Sequence, residues 1–200
     1  MTDLILLAAG ASRRFGRQKL LAEFAGRPLY RYAFDAAREL ERVRVLVVTR
    51  AGLLDGAAAE YGFEAVLVPE GRGQGASVAA GARAARAAAN LCFFVCDQPH
   101  MTGAELERFL AGFARSGKSL GRCRAGERCG SPTVFAPCFR QALAALSGDE
   151  GGRALFRGRE QETYDHEVPP ALLRDYDSPW AVSYTHLWRW APGRKWSALR

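Results

Sequence analysis

The sequence predicts a three-layer α/β fold in which a mostly parallel sheet lies between two layers of helices. Short, almost continuous apolar runs recur along the first half of the chain, and each is followed by a longer segment with apolar residues at helical spacing. Such runs are typical of parallel strands that are buried on both faces. Their alternation with helices indicates right-handed βαβ crossovers around one sheet.

Four strands and four helices can be assigned in chain order. The strands are DLILLAA at 3–9, VRVLVVT at 43–49, EAVLV at 64–68 and LCFFVC at 91–96. The helices are a segment from Pro28 to about Leu40, an alanine-rich stretch to about Tyr61, a segment at 75–89 and a segment at 102–114 with Thr102 as its N-cap. This Rossmann-like pattern predicts a ligand site beyond the carboxyl ends of the strands.

The segment from 117 to 170 is less regular. GSPTVF predicts a strand, PCFRQALAAL predicts a helix, and SGDEGGRALF predicts a glycine-rich turn that enters another helix. We therefore expect one α/β domain over residues 1–179 and treat residues 180–200 as a Trp-rich basic tail of uncertain origin. All four tryptophans of the chain lie in that tail.

The charge distribution argues against a nucleic-acid-binding protein. The chain carries 28 basic and 21 acidic residues, a net charge of +7, but residues 181–200 hold four basic residues and no acid. The remaining chain has 24 basic and 21 acidic residues, a net charge of only +3. No apolar run is long enough to span a bilayer. We expect no nucleic-acid partner and no membrane partner.

The cysteines and the N-terminus favour a reducing compartment. Five cysteines are an odd number in a chain that is large enough to fold without disulfides, so reduced thiols are expected. Asp3 stands where a secretory signal would carry basic residues. These observations predict a soluble, cytoplasmic protein.

The first candidate for chemistry is the loop LAAGASRRFGRQK at 7–19, directly after the first strand. Gly10 and Gly16 permit close backbone approaches, and successive N–H groups in such a loop can bind an anion. Full positive charges lie beside them on Arg13, Arg14, Arg17 and Lys19. The loop lacks the P-loop spacing and the GxGxxG dinucleotide pattern. It predicts a polyphosphate site; a solvated basic loop is the alternative.

The second candidate is Asp97, directly after the strand at 91–96. It faces the same crevice as the basic loop, and hard carboxylate oxygens hold Mg²⁺ while substrate phosphates fill other positions. The alternative is an acid that begins a turn before Pro99. A glycine-rich run at 69–77 follows the third strand and suits a base or a phosphate, although such turns are common.

Several short motifs occur together in the order and approximate spacing of one enzyme family. They are LAAGASRRFGRQKLL, GQGAS, FVCDQP, CGSPTVF, SGDEGGRALF and YDSP. In this combination the chain resembles the molybdenum cofactor cytidylyltransferases, within the molybdopterin-guanylyltransferase-like NTP transferases. The resemblance implies a nucleotidyltransferase fold. It also implies Mg²⁺-dependent transfer of a nucleoside monophosphate to the terminal phosphate of the molybdenum-molybdopterin cofactor, with release of pyrophosphate.

The resemblance also implies roles for individual residues. Nucleotide binding is implied for Ala8, Ala9, Gly10, Arg14, Lys19, Gly75 and Ser77. Catalysis is implied for Arg14, Lys19 and Asp97, and Mg²⁺ ligation for Asp97 and Asp177. Acceptor binding is implied for Gly130, Pro132, Asp149, Gly152 and Arg153. The stretch Leu-Ala-Ala-Gly at 7–10 resembles the CTP-using branch, so the implied substrates are CTP and the molybdopterin cofactor, with a transient contact to an acceptor molybdoenzyme or its chaperone.

Two stretches depart from the family pattern. Gly-Ser-Pro at 130–132 replaces Gly-Asn-Pro, which puts an amide contact to the pterin in doubt. DYDSPWA at 175–181 replaces Asp-Ile-Asp-Thr-Pro-Glu-Asp and lacks both final acids. Two other functions stay open: transfer to another phosphorylated acceptor such as a sugar phosphate, and a carrier or chaperone that binds nucleotide or cofactor without forming pyrophosphate.

The expected reaction explains why no nucleophilic side-chain arrangement is evident. A phosphate monoester has its second pKa near 6, so it attacks as a dianion at neutral pH and needs no general base. Positioning and charge neutralisation then supply the catalysis. Transfer to the molybdopterin cofactor and transfer to another phosphorylated acceptor both require Lys19 and Asp97 to converge on one cleft.

Overall fold

A seven-stranded sheet forms the centre of the molecule in the computed structural model, which describes residues 1–12, 15–16 and 18–176. The strands are β1 (Thr2–Leu7), β2 (Glu23–Phe24), β3 (Arg27–Pro28), β4 (Val43–Thr49), β5 (Glu64–Leu67), β6 (Asn90–Val95), β7 (Leu120–Ala125), β8 (Arg128–Phe135) and β9 (Thr163–Glu167). Their order across the sheet is β5-β4-β1-β6-β8-β7-β9, and β2 and β3 form a separate small hairpin.

The sheet is mostly parallel, as predicted. Strand β8 pairs antiparallel with β6 and β7, and every other pairing within the described sheet is parallel. Strand β1 lies between β4 and β6, so both of its edges are hydrogen-bonded. Leu4 and Leu6 belong to the core on one face of the sheet, and Ile5 belongs to the core on the other. This two-sided burial is why the strand reads as a continuous apolar run.

Helices cover both faces of the sheet and complete the three layers. In chain order they are α1 (Tyr30–Arg38), α2 (Asp55–Glu60), α3 (Gly73–Ala84), α4 (Gly103–Ser116) and α5 (Arg140–Ala144). Residues of α1, α2 and α4 join one core, and residues of α3 and α5 join the other. Thr102 caps α4 as expected, because its hydroxyl accepts the Glu105 N–H at 3.2 Å.

Several predicted elements have different bounds in the structure. The first strand ends at Leu7 rather than at residue 9, and the third helix begins at Gly73 and ends at Ala84. PCFRQALAAL forms a 3-10 turn at Pro137–Phe139 before α5, and the predicted helix after SGDEGG is the 3-10 helix Gly152–Phe156. Strands β7 and β9 were not predicted, because their sequences LGRCRA and TYDHE contain no continuous apolar run.

The cysteines form no disulfide, as expected. All five are free, and Cys92, Cys96 and Cys123 are fully buried in the core. Burial raises the pKa of each of these three thiols, so they stay protonated. Among the described residues, we find no helix that is both long enough and apolar enough to cross a bilayer.

Candidate functional site

The loop after β1 is folded so that it delivers Lys19 to the edge of the sheet. The Ser12 hydroxyl donates to Gln18 Oε1 at 2.8 Å and accepts the Lys19 N–H at 3.0 Å. Gln18 Nε2 donates to the Gly10 carbonyl at 3.3 Å. Lys19 then begins a short 3-10 helix, Lys19–Leu21, whose Leu20 is buried in the core. Two polar side chains and one apolar anchor therefore fix the base of Lys19.

Lys19 and Asp97 meet directly, although they lie 78 residues apart in the chain. Lys19 Nζ donates to Asp97 Oδ2 at 2.6 Å. Asp97 follows β6, which is the direct neighbour of β1 with Leu7 paired to Val95, so the two strands end side by side. The side chains are only 13% and 20% exposed, which strengthens their attraction relative to a pair in water. The predicted convergence of the loop and the strand end is confirmed.

The second carboxylate oxygen of Asp97 is available for another ligand. Oδ1 is buried and accepts no hydrogen bond from any residue that the structure describes. A buried carboxylate oxygen without a partner is costly, and a hard cation is the ligand that satisfies it best. Asp97 therefore fits a divalent metal. No cluster of three or more metal-binding side chains occurs among the described residues, so oxygens from a substrate would have to fill other positions.

A first lobe of the cleft, about 750 Å³ in volume, opens above Lys19. Ala9 and Gly10 line it from the loop after β1, and Gln74 and Ser77 line it from α3. A Cβ atom on Gly10 would meet no other protein atom within 4 Å, so this backbone faces open space. Ala8, which was also expected to bind nucleotide, is buried and does not line the lobe; its N–H donates to the Val48 carbonyl at 2.8 Å.

Gly75 packs against the loop at 147–150 and does not line the first lobe. Its N–H donates to the Gly148 carbonyl at 2.8 Å, and a Cβ would lie 2.5 Å from the Ser147 carbonyl oxygen and 2.6 Å from that of Glu150. The glycine thus permits α3 to contact the loop at 147–150. Asp149 in that loop lines the cleft, so this close packing sets the position of a cleft residue.

A second lobe, about 590 Å³ in volume, adjoins the first. Both lobes are lined by Asp97 and Asp149, together with Leu7, Gln74 and Val95. Not all of the residues expected to bind an acceptor line this second lobe. Gly130, Gly152 and Arg153 line the second lobe, whereas Pro132 is buried and does not. Asp97 thus lies at the junction of two cavities, each large enough for a small molecule, and its partner Lys19 lines the first of them.

The last described residues of the chain hold the strand end that carries Asp97. The Tyr176 N–H donates to the Asp97 carbonyl at 3.3 Å, and the Tyr176 hydroxyl lies 2.8 Å from His100 Nε2. Asp175 accepts Gln98 Nε2 at 2.8 Å. Burial, followed by the nearby charge of Arg174, lowers the pKa of His100, so His100 is neutral at pH 7.

Ser131 shows what replaces the amide of the family pattern. Its hydroxyl accepts the Val95 N–H at 3.1 Å and so ties β8 to the end of β6. Ser131 also lines the second lobe. The hydroxyl therefore holds the end of β6, next to Asp97. Its own O–H group can still donate a hydrogen bond.

Two of the predicted site residues, Arg14 and Asp177, lie outside the described residues, as do Arg13, Arg17 and the tail. Sequence reasoning missed several residues that shape the cleft: Ser12, Gln18, Gln74, Arg122, Arg128 and Asp175. Of these, Ser12, Gln18, Gln74 and Asp175 belong to motifs that were singled out, but no role was assigned to them. The others come from strands or segments without a distinctive pattern, so the sequence offered no signal for them.

The sequence matches a known protein family. The family model of the MobA-like NTP transferase domain matches residues 4–166. The chain belongs to this family. It is a nucleotidyltransferase of the MobA-like type, and the matched range includes Lys19, Asp97 and the strands that position them.

One curated protein matches part of the sequence, and two solved structures match the fold. A probable molybdenum cofactor guanylyltransferase from Pyrococcus horikoshii is 32% identical over 62 residues, which is 31% of the chain and 32% of that relative. The crystal structure of Rv0371c from Mycobacterium tuberculosis H37Rv has a TM-score of 0.78 at 21% identity, covering 96% of this chain and all of that one. A complex of Rv0371c with manganese gives a TM-score of 0.73 at 23% identity, covering 93% and 97% of the two chains.

Proposed function

We propose that this nucleotidyltransferase transfers CMP from CTP to the terminal phosphate of the molybdenum-molybdopterin cofactor and releases pyrophosphate. The observation that carries the proposal is the Lys19–Asp97 pair at the junction of two lobes. A donor in the first lobe and an acceptor in the second would meet where a cation and a carboxylate already lie. Bringing two polyanions together is the main difficulty of this reaction.

Lys19 acts on the triphosphate. Its ammonium group lies beside the first lobe, which Ala9 and Gly10 of the loop after β1 also line. It neutralises charge that develops on the departing pyrophosphate. Asp97 would hold Mg²⁺ through its carboxylate, and a bound Mg²⁺ supplies charge neutralisation at the phosphates. The manganese complex of the neighbour Rv0371c supports a divalent ion in this fold.

The acceptor needs no protein base. Its phosphate monoester is mostly dianionic at neutral pH, since the second pKa lies near 6. Cys96, which lines the first lobe, agrees with this, because burial raises the pKa of its thiol and keeps it protonated. Among the described residues, His166 is engaged by Glu105 and Tyr164 and does not line either lobe.

The choice of CTP rests on Ala9. This residue lines the first lobe, at the place where GTP-using enzymes tend to carry glycine. The Pyrococcus horikoshii relative is named a guanylyltransferase, so the base preference is the first point to measure. The molybdopterin acceptor, the acceptor molybdoenzyme as a partner and the cytoplasmic location are also proposals.

Pyrophosphate release tests the proposal. The protein is supplied with MgCl₂ and with CTP, GTP, ATP or UTP. Each nucleotide is tested without an acceptor, with the molybdopterin cofactor, and with a sugar phosphate in its place. We expect release with CTP only when the cofactor is present. Release with GTP and with none of the other nucleotides would contradict the proposed preference for CTP. Release with a sugar phosphate in place of the cofactor would contradict the proposed acceptor. Binding of nucleotide without any release would indicate a carrier.

A further inference from the structure

The second lobe extends far from the reaction centre along β6. Phe93, Val95 and Asp97 occupy alternate positions of this strand and its end, and all three line the lobe. Four residues of a strand span about 13 Å. Phe93 is paired with Thr133 of β8, which is paired with Arg122 of β7. Arg122 therefore lies at the far end of the lobe, about 13 Å along the sheet and about 10 Å across it from Asp97.

Arg122 is held in one orientation at that far end. Its Nε donates to Asp165 Oδ1 at 2.6 Å, and an Nη atom lies 3.4 Å from Oδ2. Its guanidinium carbon lies 5.4 Å from the ring centre of Phe156, which lines the same lobe. The side chain is 24% exposed. Because Asp165 takes one edge of the guanidinium group, the remaining N–H groups are left for a ligand.

The walls near Arg122 suit a flat molecule. Phe93, Phe135 and Phe156 line the lobe and pack against one another through edge-on ring contacts at 5.9 and 5.3 Å. The three rings are almost fully buried and give the lobe an apolar wall. The partly exposed guanidinium plane of Arg122 can stack on a planar ring, and its N–H groups donate to carbonyl or ring-nitrogen acceptors. A short sugar phosphate that reacts at Asp97 would not reach this wall.

We infer that Arg122 is a specificity-determining residue for the acceptor: it binds the end remote from the phosphate and selects acceptors that carry an extended, planar heterocycle with hydrogen-bond acceptors. This inference rests on the proposed function, since it places the acceptor phosphate at Asp97. It predicts that Arg122 contributes to acceptor binding and not to binding of the nucleotide.

The test compares Arg122→Ala and Arg122→Lys with wild type. We measure KM for the molybdopterin cofactor and KM for CTP by pyrophosphate release, and we titrate 6-hydroxymethylpterin, a fluorescent planar heterocycle without phosphate. Arg122→Ala should raise the cofactor KM and the pterin Kd by at least about tenfold and leave the CTP KM unchanged. Arg122→Lys should also weaken binding, because lysine lacks the planar fork.

Arg124→Ala is the matched control. Arg124 also contacts Asp165, at 3.4 Å, but does not line the lobe, so this variant should bind the acceptor as wild type does. Thermal unfolding shows whether each variant is folded. If wild type and Arg122→Ala both turn over and have the same KM for the cofactor, the inference is wrong, whereas the proposed function stands.

The proposed function can fail separately. Should wild type release no pyrophosphate with any nucleotide, the pterin titration decides: pterin binding that depends on Arg122 supports the inference, and binding that is absent or unchanged in Arg122→Ala overturns it.

Discussion

The contact between Lys19 and Asp97 shows how a few side chains convert strand ends into a site. Taking either charge out of water alone would be costly, so each compensates for the other at 2.6 Å. The pairing is still incomplete, because Asp97 Oδ1 has no hydrogen-bond partner among the described residues. Under the proposed function, the unsatisfied oxygen would bind the metal of a metal-nucleotide complex.

We predict that Lys19→Ala and Asp97→Asn each lower kcat by about 10²- to 10³-fold, because each removes a preorganised charge from the reaction centre. Pyrophosphate release at saturating nucleotide measures the effect, and circular dichroism checks the fold. Lys118→Ala is the control, since Lys118 contacts the Gln161 carbonyl on the exposed surface. Full activity in either site variant would contradict the assigned roles.

His100 gives the protein a pH-dependent stability. Burial lowers its pKa below 6.5 in the folded state, so the folded protein binds fewer protons than the unfolded chain in this range. The stability contribution is present above pH 6.5 and is lost as pH falls through the folded-state pKa. We predict that the melting temperature of wild type falls between pH 7 and 5, and that His100→Gln shows a shallower fall. Equal slopes for the two proteins would be incompatible with this assignment.

At the scale of elements, α3 and the loop at 147–150 pack so closely that only glycine fits between them. A Cβ on Gly75 would lie 2.5 Å from one backbone carbonyl oxygen and 2.6 Å from another. Backbone atoms cannot rotate away as a flexible side chain can, so the loop or the helix would have to move. Because the loop carries Asp149 into both lobes, the contact links packing to the cleft.

We predict that Gly75→Ala destabilises the protein by about 1 to 3 kcal/mol despite the better helix propensity of alanine. The matched control is Gly56→Ala in α2, where a Cβ would meet no atom within 4 Å. That variant should stabilise the fold by about 0.5 to 1 kcal/mol. Urea unfolding measures both changes. A neutral or stabilising Gly75→Ala would show that the helix and the loop separate easily.

The elements also show why part of the fold could be predicted from sequence. Strands β1, β4 and β6 are buried on both faces and appear as apolar runs. Strands β7 and β9 instead stabilise each other through charged side chains, as in the Arg122–Asp165 pair. Such a pair is visible only once the strands are neighbours. The rule that parallel strand ends share one edge located Lys19 and Asp97, but no local pattern located Arg122.

At the scale of the whole molecule, the cleft lies across the sheet where β1 and β6 end, so ligand binding in the first lobe should stabilise the entire fold. The loop after β1, the end of β6 and the start of α3 all line that lobe. A ligand that binds the folded protein and not the unfolded chain adds free energy of unfolding by mass action. At 100 times Kd this amounts to about 2.7 kcal/mol.

We predict that CTP with MgCl₂ at that saturation raises the melting temperature by about 5 to 10 °C, given the usual 2–4 °C per kcal/mol for a chain of this size. Differential scanning fluorimetry measures the shift. Asp97→Asn should lose most of it, because the carboxylate that would hold the metal is gone, whereas Arg122→Ala should keep it, because Arg122 lines only the second lobe. A shift that disappears in Arg122→Ala would place the nucleotide in the second lobe and would require the donor and acceptor sites to be exchanged. A shift that survives in Asp97→Asn would contradict the metal-binding role of Asp97.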